Sequence, residues 1–447
     1  MTTVARKTGA PFPYAPVRVE QQRLVAGTLA VALLIAGTRW GSYTGASGLY
    51  LTDMLLAAGI THHLLWVSGR SQPSLTGYTR RASPGIAFWA LATYVVARIT
   101  ASISAFDAEW VRDAVPFLYA LVGLVAASSI ARSTEFSRER TMRVLWFALL
   151  FHLIWTTIVI RFQINPAGLP SFPGAPISIG QVRPDIDCAI LGVTAALFVR
   201  NIFLKRTPWW SLVALVITSQ TIAGMSTRGG YLAIAIAVLL GMALTYFALR
   251  DRISLGRPAM ALVLVSIAIA AYFVLPSTVI GKRFIATFDS SQASTSEAQN
   301  AVGTARARDM AWEMVIDWTG ETRGRQVFGA GPGPNFIVEA GASAVLQGTE
   351  YRNVRSPHNF FIGLYARFGA VGLTLVSVVM LLTAWRIWEN RVRIGKDELL
   401  FTCALLAAAI VPVAAVGVVL ESPFGAIPFW WAVGILLTLG GVKAVRR

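Results

Sequence analysis

Cysteine is almost absent from this 447-residue sequence: Cys188 and Cys403 are the only two, and both lie in apolar stretches. That leaves no basis for a disulfide framework or a thiolate zinc site. Charge is also scarce. Charged residues make up 14% of the chain, against 55% hydrophobic residues; a soluble globular domain carries about 25% charged residues, so that class is excluded. Acidic residues are the scarcer sign, 22 against 39 Lys and Arg, and histidine occurs four times. The first 23 residues contain Pro11, Pro13 and Pro16 but no apolar core, so they read as a disordered cytoplasmic tail and not as a cleaved signal peptide.

What the chain has in abundance is apolar length. Windows near twenty residues predict about twelve spans, near 24–38, 49–68, 85–105, 112–131, 142–161, 186–204, 208–224, 230–249, 258–275, 359–385, 398–420 and 424–443. Each is expected to be helical, because lipid offers no partner to an unpaired backbone amide. The fold class is therefore all-α: a polytopic transmembrane bundle forming one membrane domain, 24–447, with a large extracytoplasmic loop at 276–357.

The net charge of +17 could suggest nucleic acid, but its distribution argues otherwise. Basic residues gather in both tails and in alternate loops, such as Arg132/Arg138/Arg140/Arg143 and Arg386/Arg391/Arg393/Lys396. This positive-inside pattern places both termini in the cytoplasm and names the bilayer, with no nucleic acid, as the partner. The 276–357 loop holds eight basic and eight acidic residues, neutral as an external loop should be. Within it, Met310, Met314, Val315 and Trp318 predict an amphipathic helix over Ala305–Trp318, lying on the membrane or capping a cavity. Ser290–Asn300 is polar and reads as mobile, and Gly329–Pro334 forces turns.

Three positions at the outer side carry candidate chemistry. Arg228, in Ser226-Thr227-Arg228-Gly229-Gly230, stands at the start of a span, where helix amides and a guanidinium fork suit a diphosphate; an arginine snorkelling to headgroups explains the same position. Arg308 sits four residues before Trp312 and offers a second cation, or an ordinary surface pair with nearby acids. His358, in Ser356-Pro357-His358-Asn359, lies where the large loop re-enters the membrane. It could deprotonate a sugar hydroxyl or donate a hydrogen bond to a donor phosphate; a backbone-satisfied helix-start histidine is the plainer alternative. Asn359 is expected to cap the span. Arg161, Arg183, Asp185 and Asp187 cluster at the outer ends of two spans and could line an acceptor site or form interfacial pairs. Asp53 and Arg98 are expected to neutralise each other, and His152 to make a packing hydrogen bond. No convincing metal motif or cofactor signature is present.

In order, Thr227-Arg228-Gly229-Gly230, Arg308 with Trp312, Gly331-Pro332-Gly333-Pro334-Asn335-Phe336, Pro357-His358-Asn359 and Gly369-Ala370-Val371-Gly372 resemble the motif set of the O-antigen ligase / O-antigen polymerase superfamily of polytopic glycosyltransferases. The motif-bearing region is roughly 220–375. Two departures concern the acceptor: Arg367 stands where an acidic residue is often found, and Arg183-Pro184-Asp185 does not match the usual Gly/Asn-rich segment.

The resemblance implies a GT-C-like bundle in a bacterial cytoplasmic membrane, with the active site extracytoplasmic. It also implies metal-independent, inverting transfer from a polyprenyl-diphosphate-linked glycan donor to a glycan, lipid or protein acceptor. Arg228 and Arg308 would clamp the diphosphate and His358 would activate the acceptor hydroxyl. Polymerase and ligase are not separable from the sequence. Two other readings are a peptidoglycan glycosyltransferase of the shape, elongation, division and sporulation type, which would need an acid such as Asp289 or Asp309, and a lipid-linked glycan flippase, for which no internal repeat is found.

Overall fold

The computed structural model describes residues 15–37, 40–43, 45–46, 49–68, 85–130, 135–165, 168–171, 178, 180–204, 208–225, 227–249, 296–347 and 355–439. The expected span 258–275, most of the tail and Asp289 lie outside them. Helices stand at the other eleven expected positions: α1 (Ala15–Ala36), α2 (Leu51–Ser68), α3 (Ile86–Ala101), α4 (Ala108–Leu118), α5 (Ala120–Ile130), α6 (Glu135–Arg161), α7 (Pro184–Phe203), α8 (Pro208–Ala223) and α9 (Arg228–Ala248). After the large loop come α12 (Phe360–Glu389), α13 (Glu398–Ala414) and α14 (Pro423–Leu437). The loop itself contributes α10 (Ser296–Gly320) and α11 (Arg323–Phe328). Among the described residues the remainder is short helical turns and connections, a two-residue antiparallel pairing of Gly45–Ala46 with Leu49–Tyr50, and an isolated bridge between Ser171 and Ser178.

Among the described residues five helices are long and apolar enough to cross a membrane: Glu109–Ile130, Glu135–Arg161, Pro184–Phe203, Arg228–Ala248 and Phe360–Glu389. Gln22–Ala36, Ile86–Ala101, Glu398–Ala414 and Pro423–Leu437 are shorter and equally apolar. Helices α13 and α14 bury nearly every side chain, as a helix apolar on all sides must, and form the centre of the bundle. Around them pack α5 against α14, and α7 and α9 against α13. The perimeter shows the reverse character. Phe147 and Leu381 are 72% and 69% exposed on spanning helices, a surface suited to lipid and unfavourable in water. Cys188 and Cys403 are buried free thiols.

The loop helix is longer than its periodicity predicts, and turned. Ser296–Asn300 is helical, and the buried stripe is Ala307, Ala311, Val315 and Trp318, with Met310 left exposed. Small alanines let α10 lie close to the short helices Phe336–Glu339 and Ser343–Leu346, where Phe336, Ile337 and Leu346 close a small apolar core. Burying side chains of this size stabilises the arrangement by about 1.5–3 kcal/mol each.

Helix α12 is broken at Gly369, which has φ 64°. A break in a bundle frees carbonyls that lipid cannot satisfy. Here the Gly-rich segment supplies the donors: Ala330 N–H reaches Ala366 O at 2.8 Å and Gly331 N–H reaches Arg367 O at 2.9 Å. Tyr94 of α3 donates its hydroxyl to Phe368 O at 2.7 Å. Backbone meets backbone so closely that a Cβ on Gly369 would stand 2.4 Å from the Val327 carbonyl carbon. Arg98, expected to pair with Asp53, instead donates to Gly329 O at 3.0 Å, while Asp53 accepts from the Tyr50 amide. The freed backbone near the break is a nearer acceptor than a carboxylate on another helix.

Candidate active site

The chain elements that meet at one end of the bundle are the starts of α7, α9, α12 and α14, the end of α13 and the flank of α10. Helix α9 opens with Thr227 as its N-cap, the hydroxyl accepting from Gly230 N–H, so Arg228 is the first helical residue. Next to it, Gly229 lies against Val416 at the end of α13; a Cβ there would be 2.7 Å from a Val416 methyl. From the other side Arg308 of α10 donates to the Val416 carbonyl at 3.2 Å. Val416 is thus the shared landing point of the Arg228 turn and the Arg308 helix.

His358 is fixed from both flanks. Trp312 of α10 donates its indole N–H to Pro357 O at 2.6 Å. Asn359 caps α12, its side-chain oxygen accepting from the amides of Phe361 at 3.0 Å and Ile362 at 3.3 Å. Between these anchors His358 has φ 54°, a left-handed conformation that costs a non-glycine residue about 1–2 kcal/mol. Burial pushes its imidazole pKa down to about 3, and the Arg308 and Arg183 guanidinium groups push in the same direction. The ring is therefore neutral, with one N–H donor and one acceptor nitrogen.

Arg183, just ahead of α7, pairs with Asp185 at 3.0 Å, and its guanidinium lies 4.9 Å from the Phe424 ring of α14. Its backbone amide donates to Asp187, whose carboxylate also meets His152 Nε2 at 3.1 Å. The Asp-x-Asp pair is thus consumed by capping and packing contacts, and His152 makes the packing bond expected of it. Arg161 is exposed at the end of α6, and none of the contacts just described reaches it.

A cavity of about 410 Å³ opens beside His358, lined among others by Arg112, Asp113, Ser356, Arg367, Val418 and Glu421. Its polar wall is a network that the sequence reading missed. Asp113 of α4 accepts from Arg367 at 2.7 Å, from Arg355 at 2.9 Å and from Gly333 N–H at 3.3 Å. Arg355 also reaches Glu109 at 3.1 Å, and Arg367 faces the Phe336 ring at 4.8 Å. Arg367, noted in the sequence only as a departure from a motif, is therefore the buried partner of an acid 254 residues away. Glu421, in the one-turn 3₁₀ segment Val419–Glu421, accepts from the Ser356 hydroxyl at 2.8 Å. Burial raises its pKa to about 7, partly offset by Arg367 and the Ser356 hydrogen bond; Asp113 adds to the rise. The one sequence signal for Glu421 was an acid set beside a proline between two wholly apolar stretches.

A larger groove of about 1110 Å³ lies at the opposite end, lined by Arg138, Arg393, Lys396 and Asp397 among others. Among its lining charges Arg138 pairs with Asp397, and Glu398 meets Arg200 of α7 at 3.6 Å. The smaller cavity is the one lined by His358.

No curated protein matches the chain. Residues 213–377 match the O-antigen ligase family, a stretch that includes Arg228, Arg308, His358 and Asn359 and excludes Arg161, Arg183 and Glu421. With apolar helices suited to a multi-pass membrane protein on both sides of it, this segment, little more than a third of the chain, is similar to the O-antigen ligase family.

Proposed function

We propose that the protein transfers a glycan from a polyprenyl-diphosphate-linked donor to an acceptor hydroxyl at the outer face of a bacterial cytoplasmic membrane. The observation that carries this reading is the crowding of cations on a neutral histidine: Arg308 and Arg183 both act on His358, and the Arg228 turn joins Arg308 at Val416. A site with that much positive charge is suited to a polyanion. Diphosphate is already a competent leaving group, and guanidinium groups aimed at its oxygens stabilise the charge that develops as the glycosidic C–O bond breaks. Two or three arginines can supply this without a metal.

In this reading Arg228 and Arg308 grip the diphosphate, with Arg183 beside them, and Asn359 fixes the start of α12. Neutral His358 holds the acceptor hydroxyl in line behind the anomeric carbon. Attack from the side opposite the diphosphate inverts that carbon. The prenyl chain lies between helices, along the apolar perimeter. The peptidoglycan-type alternative needs an acid from the loop; Asp309 is exposed on α10, away from the buried stripe.

The test uses purified protein in lipid vesicles with a labelled lipid-linked glycan. Arg228→Ala and His358→Ala are expected to abolish transfer while leaving insertion and expression intact. Normal transfer by both variants would refute the assignment. A ladder of products means polymerase, and a single transfer to another acceptor means ligase.

A further inference from the structure

The proposed reaction releases a proton, and His358 is poorly placed to keep it. An imidazole flanked by two guanidinium groups is a weak base. The cavity offers a second group. Glu421 projects from the turn between α13 and α14 into the same cavity as His358, and its Oε1 accepts from Ser356 Oγ at 2.8 Å, two residues from His358 along the chain. Its carboxylate packs against the first turn of α12 so closely that a side chain at Gly363 would stand 2.9 Å from Oε1.

We propose that the Glu421 carboxylate, bridged by the Ser356 hydroxyl, is the proton acceptor for the acceptor hydroxyl in glycan transfer. This rests on the reaction proposed above. As the acceptor oxygen bonds to the anomeric carbon, the bond from that carbon to the diphosphate oxygen breaks, and its electron pair leaves with the polyprenyl diphosphate. The hydroxyl proton passes to Ser356 as the Ser356 proton passes to Glu421, leaving a neutral carboxylic acid, which returns its proton to water or product phosphate. The groups facing Glu421 are Ser356 ahead of α12, Arg367 on α12 and Asp113 on α4, with His358, Arg355 and Arg112 around the cavity. A carboxyl titrating near 7 in that setting is matched to proton transfer at neutral pH.

The test is the pH dependence of transfer from a lipid-linked glycan in vesicles between about pH 5 and 9. Wild-type rate is expected to rise about tenfold per unit up to about pH 7 and then level, because only the ionised carboxylate accepts a proton. Glu421→Gln keeps the Ser356 hydrogen bond and is expected to lose about a hundredfold or more in rate, while photo-crosslinking of the donor is unchanged. Ser356→Ala removes the bridge, so transfer should slow, and it removes a hydrogen bond that lowers the Glu421 pKa, so the acid limb of the remaining transfer should move to higher pH. A merely structural role for Glu421 would not move that limb. Wild-type transfer with Glu421→Gln within threefold of it, or an unmoved limb in Ser356→Ala, overturns this inference alone. Absence of transfer by the wild type overturns it together with the reading it rests on.

Discussion

The indole N–H of Trp312 is bonded to the carbonyl oxygen of Pro357 at 2.6 Å, which ties the middle of the loop helix to the residue before His358. Arg308, one helical turn earlier, is carried on the same rigid element. The Arg-x-x-x-Trp spacing thus couples the cation to the histidine through one hydrogen bond.

Replacing that indole is the most direct probe of the coupling. Trp312→Phe retains most of the apolar ring and loses the donor, at a net cost of about 1 kcal/mol. Transfer rate is expected to fall about fivefold to tenfold with donor binding little changed, measured by single-turnover transfer and donor crosslinking. An unaltered rate would show that the left-handed His358 backbone is held by other contacts.

Asp113 answers two arginines at once. Asp113→Ala strands Arg367, which is 4% exposed, as an uncompensated buried cation. Removing one partner of such a pair costs about 3–5 kcal/mol. The melting temperature in detergent should drop sharply, and Arg367→Met in the same protein should restore part of it. No drop would mean that Glu421 or water compensates Arg367.

Gly369→Ala places a methyl group 2.4 Å from the Val327 backbone at a φ of 64°. A left-handed alanine alone costs about 1–2 kcal/mol, and here the neighbouring backbone must also shift. Reduced thermal stability is expected, together with faster hydrogen exchange at the Ala330 and Gly331 amides. Exchange that remains slow would show the break tolerates a side chain.

His358 sets an acid limit to stability. Its pKa falls from 6.5 unfolded to about 3 folded, so the unfolded chain binds the extra proton below pH 6.5. The associated stability is whole above pH 6.5 and drains away as pH falls toward 3. Glu421 has the opposite sign: its folded pKa is raised, so its contribution is whole below about 4.5 and is lost as pH rises through about 7. The two contributions offset each other between about pH 4.5 and 6.5, so there His358→Gln should lose stability with rising pH and Glu421→Gln should gain it, each more steeply than wild type; His358→Gln should be flatter than wild type only below about 4.5, and Glu421→Gln only between about 6.5 and 7. Equal slopes in all three proteins would contradict both assignments.

Features that depend on neighbours along the chain were legible in the sequence. Eleven of the apolar windows hold helices, Asn359 caps as expected, and the order Arg228, Arg308, His358 carried the family resemblance. Features that depend on distant partners were not. Asp113 was not singled out at all, because its arginines lie more than 240 residues away. Glu421 looked like part of a linker, since nothing local reports the Ser356 hydroxyl brought to it. The face of α10 was legible in part: Val315 and Trp318 are buried as expected, but Met310 is exposed, and the small Ala307 and Ala311 take the buried places near Phe336 and Ile337.

The interruption of α12 also dictates an order of assembly. Its first half cannot settle against the rest until Tyr94, made early, and Ala330 and Gly331, made much later, have both arrived. Both partners precede residue 360 in the chain, so the Gly-rich segment must already lie beside α3 when the first half of α12 packs. Completion of the pocket is thereby joined to folding of the segment just before α12 and not to the packing of any single apolar helix.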